Sequence, residues 1–358
     1  MFFTTIGKRR STIQHLFKWP CQKRNWMSVA GIERSHRALL FPGQGSQVVG
    51  MGKDLWDRYP RIVKRVFDQV DDALNMPLRS LIFDGDQNTL TLTENAQPAI
   101  LTTSIAILRI LQEEYGFDLQ KACAYVLGHS LGEYTALVAS ESLSLTDAVR
   151  LVRLRGLAMT QAVQDRQPTG MTVLVTRKGK LDEIMDSIQT VQKRLSTNEV
   201  AEIGNINSST QIVISGTEIG LKEAVEYLKS KRMIVKSMPL PVSGPFHSSL
   251  VSDAAVVMSN ALKTVSFKQP IVKVISNVTG KPYTSVEEIP LSLTKHITST
   301  VQWHPSIHYL KTQDVSDFVS FGPGKVLANM LNKDYPSDTI RSLDSIDDIL
   351  NYVQEFSD

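Results

Sequence analysis

Cysteine is almost absent: only Cys21 and Cys123 occur in 358 residues, which excludes a disulfide framework and leaves no metal-ligand spacing. No apolar run approaches the ~20 residues that span a bilayer, so a membrane span is excluded. Acidic residues are missing before Glu33, although Lys8, Arg9, Arg10, Lys18, Lys23 and Arg24 precede it. Two nucleotide signatures also fail. After Gly43 and Gly45 the third glycine of G-x-G-x-x-G falls on Val48, and Gly324-Lys325 lacks both the upstream glycine and the following Ser/Thr of a phosphate loop. With 42% apolar and 21% charged residues, the remainder has the composition of a soluble globular protein long enough for one large α/β domain with an insertion.

The acid-free stretch, residues 1–32, mixes its basic residues with Thr4, Thr5, Ser11 and Thr12 and with scattered bulky apolar side chains. That is the composition of a mitochondrial transit peptide, and it lacks the continuous apolar core of a secretory signal. A basic tail touching nucleic acid is the alternative. Removing its six positive charges takes the net charge from +3 to −3, so the overall basicity does not mark a nucleic-acid binder.

The strongest positive signal is Gly128-His129-Ser130-Leu131-Gly132, a nucleophile-elbow pattern between an apolar run, Ala124 to Leu127, and a helix-forming run, Glu133 to Ala139. A serine on such a turn projects its hydroxyl clear of the sheet. The flanking glycines are needed because side chains there would clash, and the next N–H faces the oxygen that becomes negative when a carbonyl is attacked. The expectation is covalent acyl chemistry, with an ordinary Gly-rich turn as the alternative.

Around this turn the sequence predicts strands at Arg37–Phe41, Val272–Ser276 and Phe318–Phe321. It predicts helices at 60–75, Ala99–Tyr115 opened by Gln97-Pro98, Leu145–Val163 with Thr146 as a possible cap, and Ala254–Leu262. Between them the order changes to strand Met171–Thr176, helix Leu181–Arg194, strands Val200–Asn207 and Gln211–Gly216, helix Ile219–Lys231 and strand Met233–Leu240. That βαββαβ order predicts a ferredoxin-like insertion over 165–237, flanked by a main domain of 33–164 and 238–358.

A serine needs a base. His304 and His308 are four apart, but Pro305 and the lack of a nearby Glu make them packing or surface residues, and no metal is expected. His247 closes the rigid run Leu240-Pro241-Val242-Ser243-Gly244-Pro245-Phe246 at a strand end, where α/β proteins place catalytic groups. It is the candidate base, with an exposed loop histidine as the alternative.

Several motifs together resemble the malonyl-CoA:acyl carrier protein transacylases and the acyltransferase domains of fatty acid and polyketide synthases. They are Phe41-Pro42-Gly43-Gln44-Gly45-Ser46-Gln47, Thr93-Glu94-Asn95-Ala96-Gln97-Pro98-Ala99, the elbow through Glu133-Tyr134, and Arg153-Leu154-Arg155-Gly156. Pro241-Val242-Ser243 with Phe246-His247, Val301-Gln302-Trp303 and Gly322-Pro323-Gly324-Lys325-Val326-Leu327 complete the set, over about residues 37–335. With the basic leader, the chain is similar to the mitochondrial, stand-alone type.

The resemblance implies an α/β-hydrolase-like large subdomain with a ferredoxin-like small one. It implies Ser130 as nucleophile, His247 as base, and the N–H groups of Gln44 and Leu131 as the oxyanion hole. Arg155 would receive the free carboxylate of a malonyl group, the backbone carbonyl of Gln302 would orient His247, and Phe246 and Met159 would line the acyl pocket. Malonyl-CoA and acyl carrier protein are the implied partners, with no nucleic acid and no bound cofactor beyond the coenzyme A thioester as substrate. The expected setting is the mitochondrial matrix and its fatty acid synthesis. A serine hydrolase or thioesterase would use the same elbow with water as acceptor, and a non-catalytic carrier-protein scaffold would need no Ser130 at all.

Overall fold

The structure, a computed structural model, describes residues 28–29, 32–164 and 167–356. The leader expected at 1–32 lies almost wholly outside the described residues. Besides a short antiparallel pair, Ser28–Val29 with Ile32–Glu33, the strands are β1 (Arg37–Phe41), β2 (Tyr125–Gly128), β3 (Thr169–Thr176), β4 (Ala201–Ser208), β5 (Gln211–Thr217), β6 (Ile234–Pro239), β7 (Lys273–Val274), β8 (Asp317–Phe321) and β9 (Thr339–Leu343). The helices used below are α1 (Pro60–Leu74), α2 (Thr93–Tyr115), α3 (Gly132–Ala139), α4 (Leu145–Gln161), α5 (Leu181–Gln192), α6 (Glu218–Ser230), α7 (Ser252–Leu262), α8 (Glu288–His296), α9 (Trp303–Thr312), α10 (Val326–Asp334) and α11 (Ile346–Gln354).

Five strands form a parallel sheet in the order β9-β8-β1-β2-β7. Its central strand β1 is buried along its whole length, as a parallel strand covered on both faces must be. Alternate side chains then feed two layers. Leu39, Phe41 and Val126 pack with α2, α4 and α7, whereas Ala38, Leu40, Tyr125 and Leu127 pack with Trp303, Ile307 and Leu331 of α9 and α10.

The second sheet is antiparallel, in the order β4-β5-β3-β6, with α5 and α6 in the connections. This is the split-βαβ arrangement. The antiparallel sheet joins the large subdomain where Val301, just before α9, bridges to Asn205: Ile206 N–H donates to Val301 O at 3.0 Å, and Val301 N–H to Gly204 O at 2.8 Å. The mixed α/β class with a separate antiparallel subdomain therefore matches the expectation from sequence.

Two helix starts differ from that expectation. α2 begins at Thr93, so Pro98 lies inside it instead of opening it. Proline cannot donate to the carbonyl four residues back. Here the Arg153 guanidinium donates to Glu94 O at 3.3 Å and supplies the missing partner. α4 is capped by Ser144, whose hydroxyl accepts the Asp147 N–H at 3.0 Å, and not by Thr146, which lies two residues further on, already inside the helix.

At the end of the strands opposite the site, Asp317 at the start of β8 is fully buried between Arg37 Nε, at 2.5 Å, and Arg341 of β9. One carboxylate thus ties three adjacent strands together. Removing one partner from a buried pair strands a charge and typically costs about 3–5 kcal/mol. Asp317→Ala is therefore expected to lower the unfolding free energy by roughly that amount, read from the urea midpoint at unchanged m-value.

Candidate active site

The carboxyl ends of β1 and β2 converge on one crevice, the place where open parallel sheets bind ligands. β2 ends at Gly128, and Ser130 follows with φ at +52°, a left-handed conformation rare for a residue with a side chain. A Cβ on Gly128 would fall 1.9 Å from the carbonyl of Gly132, and one on Gly132 would fall 2.3 Å from Phe41 O. The turn is therefore closed by backbone touching backbone. Asn277, just beyond β7, locks it from behind: Ser130 N–H donates to Asn277 Oδ1 at 2.8 Å, and Asn277 Nδ2 donates to Gly128 O at 2.7 Å.

His247 comes from the loop after β6 and is also held at positive φ, +59°. The loop is pinned on both sides. Ser215 Oγ donates to Phe246 O and Ser248 Oγ to Pro245 O, each at 2.6 Å. The imidazole Nε2 thereby lies 2.8 Å from Ser130 Oγ. Burial, with the neighbouring His296 and Arg155, pushes His247 well below the usual histidine range. At neutral pH it is an uncharged ring, ready to accept a proton.

The other ring nitrogen corrects one expectation. Nδ1 of His247 lies 3.0 Å from the backbone carbonyl of His296, not that of Gln302. The Gln302 carbonyl is already committed, because it accepts both the N–H and the hydroxyl of Ser306 in the first turn of α9. A hydrogen bond to His296 O fixes the Nδ1–H tautomer and leaves the Nε2 lone pair facing the serine.

Arg155 projects from α4 into the same crevice and is almost entirely buried. It donates to Ser130 Oγ at 3.1 Å and to Gln97 Oε1 of α2 at 2.9 Å, while its Nε has no partner. The helices approach closely here because residue 156 is glycine: a Cβ would fall 2.6 Å from Glu94 Cα. Among the described residues no carboxylate hydrogen-bonds to Arg155. Glu133 acts on it only at longer range, and burial disfavours its charge.

The backbone N–H groups of Gln44 and Leu131 donate no hydrogen bond among the described residues. Leu131 directly precedes α3, so its N–H adds to the positive end of that helix dipole. The Gln44 loop is braced through Thr93, whose hydroxyl accepts from Gln44 Nε2 at 3.3 Å and donates to Ser243 Oγ at 3.2 Å.

A cavity of about 290 Å³ opens on these groups. Phe246 and Met159 line it beside Arg155, and Met171, Val173 and Val213 form its wall from the antiparallel sheet. A wider depression of about 700 Å³ on the outer face, with Arg61, Lys64, Arg65 and Arg150 on its rim, shares no residue with it. The structure thus brings Ser130, His247, Arg155, Gln44, Phe246 and Met159 to one cavity, with neither Leu131 nor Gln302 in its lining, although Leu131 is the immediate neighbour of Ser130. Gln97, Asn277, Thr93 and His296 also shape the site, although sequence reasoning gave them no role. Gln97 and Thr93 stood within a recognised motif, whereas Asn277 stood in none.

Residues 38–347 match the acyl transferase domain family. The malonyl CoA-acyl carrier protein transacylase of Bacillus subtilis (strain 168) is 42% identical over 296 residues, covering 83% of this chain and 89% of that protein. The crystal structure of an acyl-carrier-protein-S-malonyltransferase from Bartonella henselae superposes with a TM-score of 0.83 at 37% identity, covering 90% of this chain and 99% of that one. A malonyl-transacylase solved in complex with a type II PKS acyl-carrier protein gives a TM-score of 0.81 at 30% identity, covering 89% and 99%. The crevice, the fold that builds it and these relatives agree: the chain belongs to the malonyl CoA-acyl carrier protein transacylase family of acyl transferases.

Proposed function

We propose that this protein moves a malonyl group from malonyl-CoA to the phosphopantetheine thiol of an acyl carrier protein through a malonyl ester on Ser130. The observation that carries the reading is the buried Arg155 guanidinium, 3.1 Å from the Ser130 oxygen and with no carboxylate bonded to it among the described residues. A buried cation lacking a partner is costly, and a malonyl group bonded to Ser130 would bring its free carboxylate within reach. A guanidinium pairs with a carboxylate through two parallel hydrogen bonds, whereas an acetyl group offers it nothing.

The steps balance as a ping-pong transfer. Ser130 Oγ attacks the thioester carbon while His247 Nε2 takes its proton, and the negative oxygen faces the N–H groups of Leu131 and Gln44. Loss of one such donor typically costs ~10²–10³ in rate. The C–S bond then breaks, and the proton on His247 passes to the coenzyme A thiolate. In the second half the carrier thiol gives its proton to His247, its sulfur attacks the ester carbon, and the C–O bond breaks to restore Ser130. Phe246 and Met159 would border the acyl group, and an α-methyl branch would crowd Phe246. No step calls on a further cofactor.

The solved complex of a related malonyl-transacylase with a carrier protein supports the choice of acceptor. The acid-free, hydroxyl-rich composition of residues 1–32 supports delivery to the mitochondrial matrix, and hence a role in fatty acid synthesis there. The relatives named above are bacterial, and the leader carries this part of the proposal alone.

Mixing the protein with malonyl-CoA without acceptor is expected to add about 86 Da, a malonyl group replacing one hydrogen, on the peptide containing Ser130. Ser130→Ala should carry no adduct. Adduct on the variant would overturn the Ser130 assignment, and none on the wild type with free malonate appearing instead would favour a hydrolase. Residues 1–32 fused to a fluorescent protein should direct it into mitochondria, and a fusion that stays in the cytosol would remove the proposed address.

A further inference from the structure

A buried carboxyl that the transfer steps do not use stands behind both reacting side chains. Glu133, in the first turn of α3, has no exposed surface. Its Oε1 accepts the Asn277 N–H at 3.2 Å and the Tyr283 hydroxyl at 2.5 Å. Asn277 is the residue that holds Ser130 N–H and Gly128 O, so one step from Glu133 reaches the nucleophile turn. On the other side, Oε2 lies 3.0 Å from Nδ1 of the equally buried His296, though off the line a full hydrogen bond needs. The His296 ring stacks on that of His247, with centroids 5.0 Å apart and planes 25° apart, and its carbonyl holds His247 Nδ1. A second step from Glu133 therefore reaches the base.

We propose that Glu133 is a positioning residue for acyl transfer, holding the Ser130 turn through Asn277 and orienting and polarising His247 through His296. This rests on the Ser130–His247 reading above. A serine hydrolase places an acid directly on the outer nitrogen of its histidine, where it stabilises the imidazolium that forms. Here a peptide carbonyl occupies that nitrogen, and the acid stands one residue behind it.

The placement has a pH consequence. The groups facing Glu133 are Arg155 from α4, His296 from α8, Tyr283, Ser276 and Asn277 around the end of β7, and Tyr134 on its own helix. Burial raises the Glu133 carboxyl to about 7, against the lowering pull of Tyr283, Asn277 and Arg155. Above that pH the ionised carboxylate favours the imidazolium on His247, so acylation speeds up as pH rises through neutrality. His247 itself titrates lower, well below 6.5, so the two ionisations separate.

The test is single-turnover acylation of the full chain by malonyl-CoA, followed as coenzyme A release from about pH 5.5 to 9. Glu133→Gln keeps the shape and an acceptor for Asn277. It should keep the KM for malonyl-CoA within about twofold, lose the rise near neutrality and run ~10-fold slower at the alkaline end. Glu133→Leu removes both connections and should acylate ~10²-fold more slowly, the usual effect of misplacing reacting groups by about 1 Å. Glu133→Gln with the wild-type pH profile, or Glu133→Leu within about threefold of wild type per folded molecule, would overturn the proposal. If Glu133→Leu does not fold, the Glu133→Gln profile decides alone. Ser130→Ala, run alongside, keeps the two readings apart: acylation persisting there would sink the Ser130 assignment, whatever Glu133 does.

Discussion

A guanidinium shut away from water, with no carboxylate bonded to it among the described residues, sets the terms for the rest of this crevice. Arg155 is held by the amide oxygen of Gln97, a neutral acceptor that orients without neutralising. Its position depends on α2 and α4 approaching to backbone contact at Gly156, and on α2 continuing through Pro98. That helix keeps its first turns because Arg153, two residues before Arg155, replaces the hydrogen bond proline cannot make. Packing of the large subdomain thus keeps a positive charge in place, and the proposed malonyl cargo would relieve its cost.

Ser130 and His247 are fixed by different means. Ser130 is set by covalent geometry and close backbone approach: glycines at 128 and 132, a strand before and a helix after. His247 arrives from a loop that gains rigidity only by bonding to its neighbours, through Ser215 of β5 and the carbonyl of His296 at the end of α8. The antiparallel sheet therefore does more than cap the cavity. It supplies a wall through Met171, Val173 and Val213, and it holds one end of the His247 loop.

How much of this could be read from the sequence follows from the range of each interaction. The elbow was legible because its requirements are local: five residues between an apolar strand and a helix. The βαββαβ insertion was legible because its elements carry their own periodicity and turns. Cap identity was a matter of two residues, and Ser144 and Thr146 differ too little in propensity to be separated without the hydrogen bond to Asp147. The orienting carbonyl was misplaced on Gln302 because a backbone oxygen leaves no mark in sequence. Any residue at 296 would supply it, and only the folded chain shows that α9 has already used the oxygen of Gln302. Asn277 and β9 escaped for a similar reason. Asn277 acts across 147 positions of sequence, and β9 is a short, half-exposed edge strand with little alternation to betray it.

The account turns on Arg155 reserving its charge for the acid end of the substrate, and specificity measures that directly. The decisive quantity is kcat/KM for malonyl-CoA relative to acetyl-CoA, in wild type and in Arg155→Ala. Removing the guanidinium should lower the malonyl-to-acetyl ratio by ~10³ or more, since the malonyl carboxylate is then buried without a partner while acetyl loses nothing. An unchanged ratio, with both substrates slowed alike, would contradict the account and reduce Arg155 to a brace for the serine.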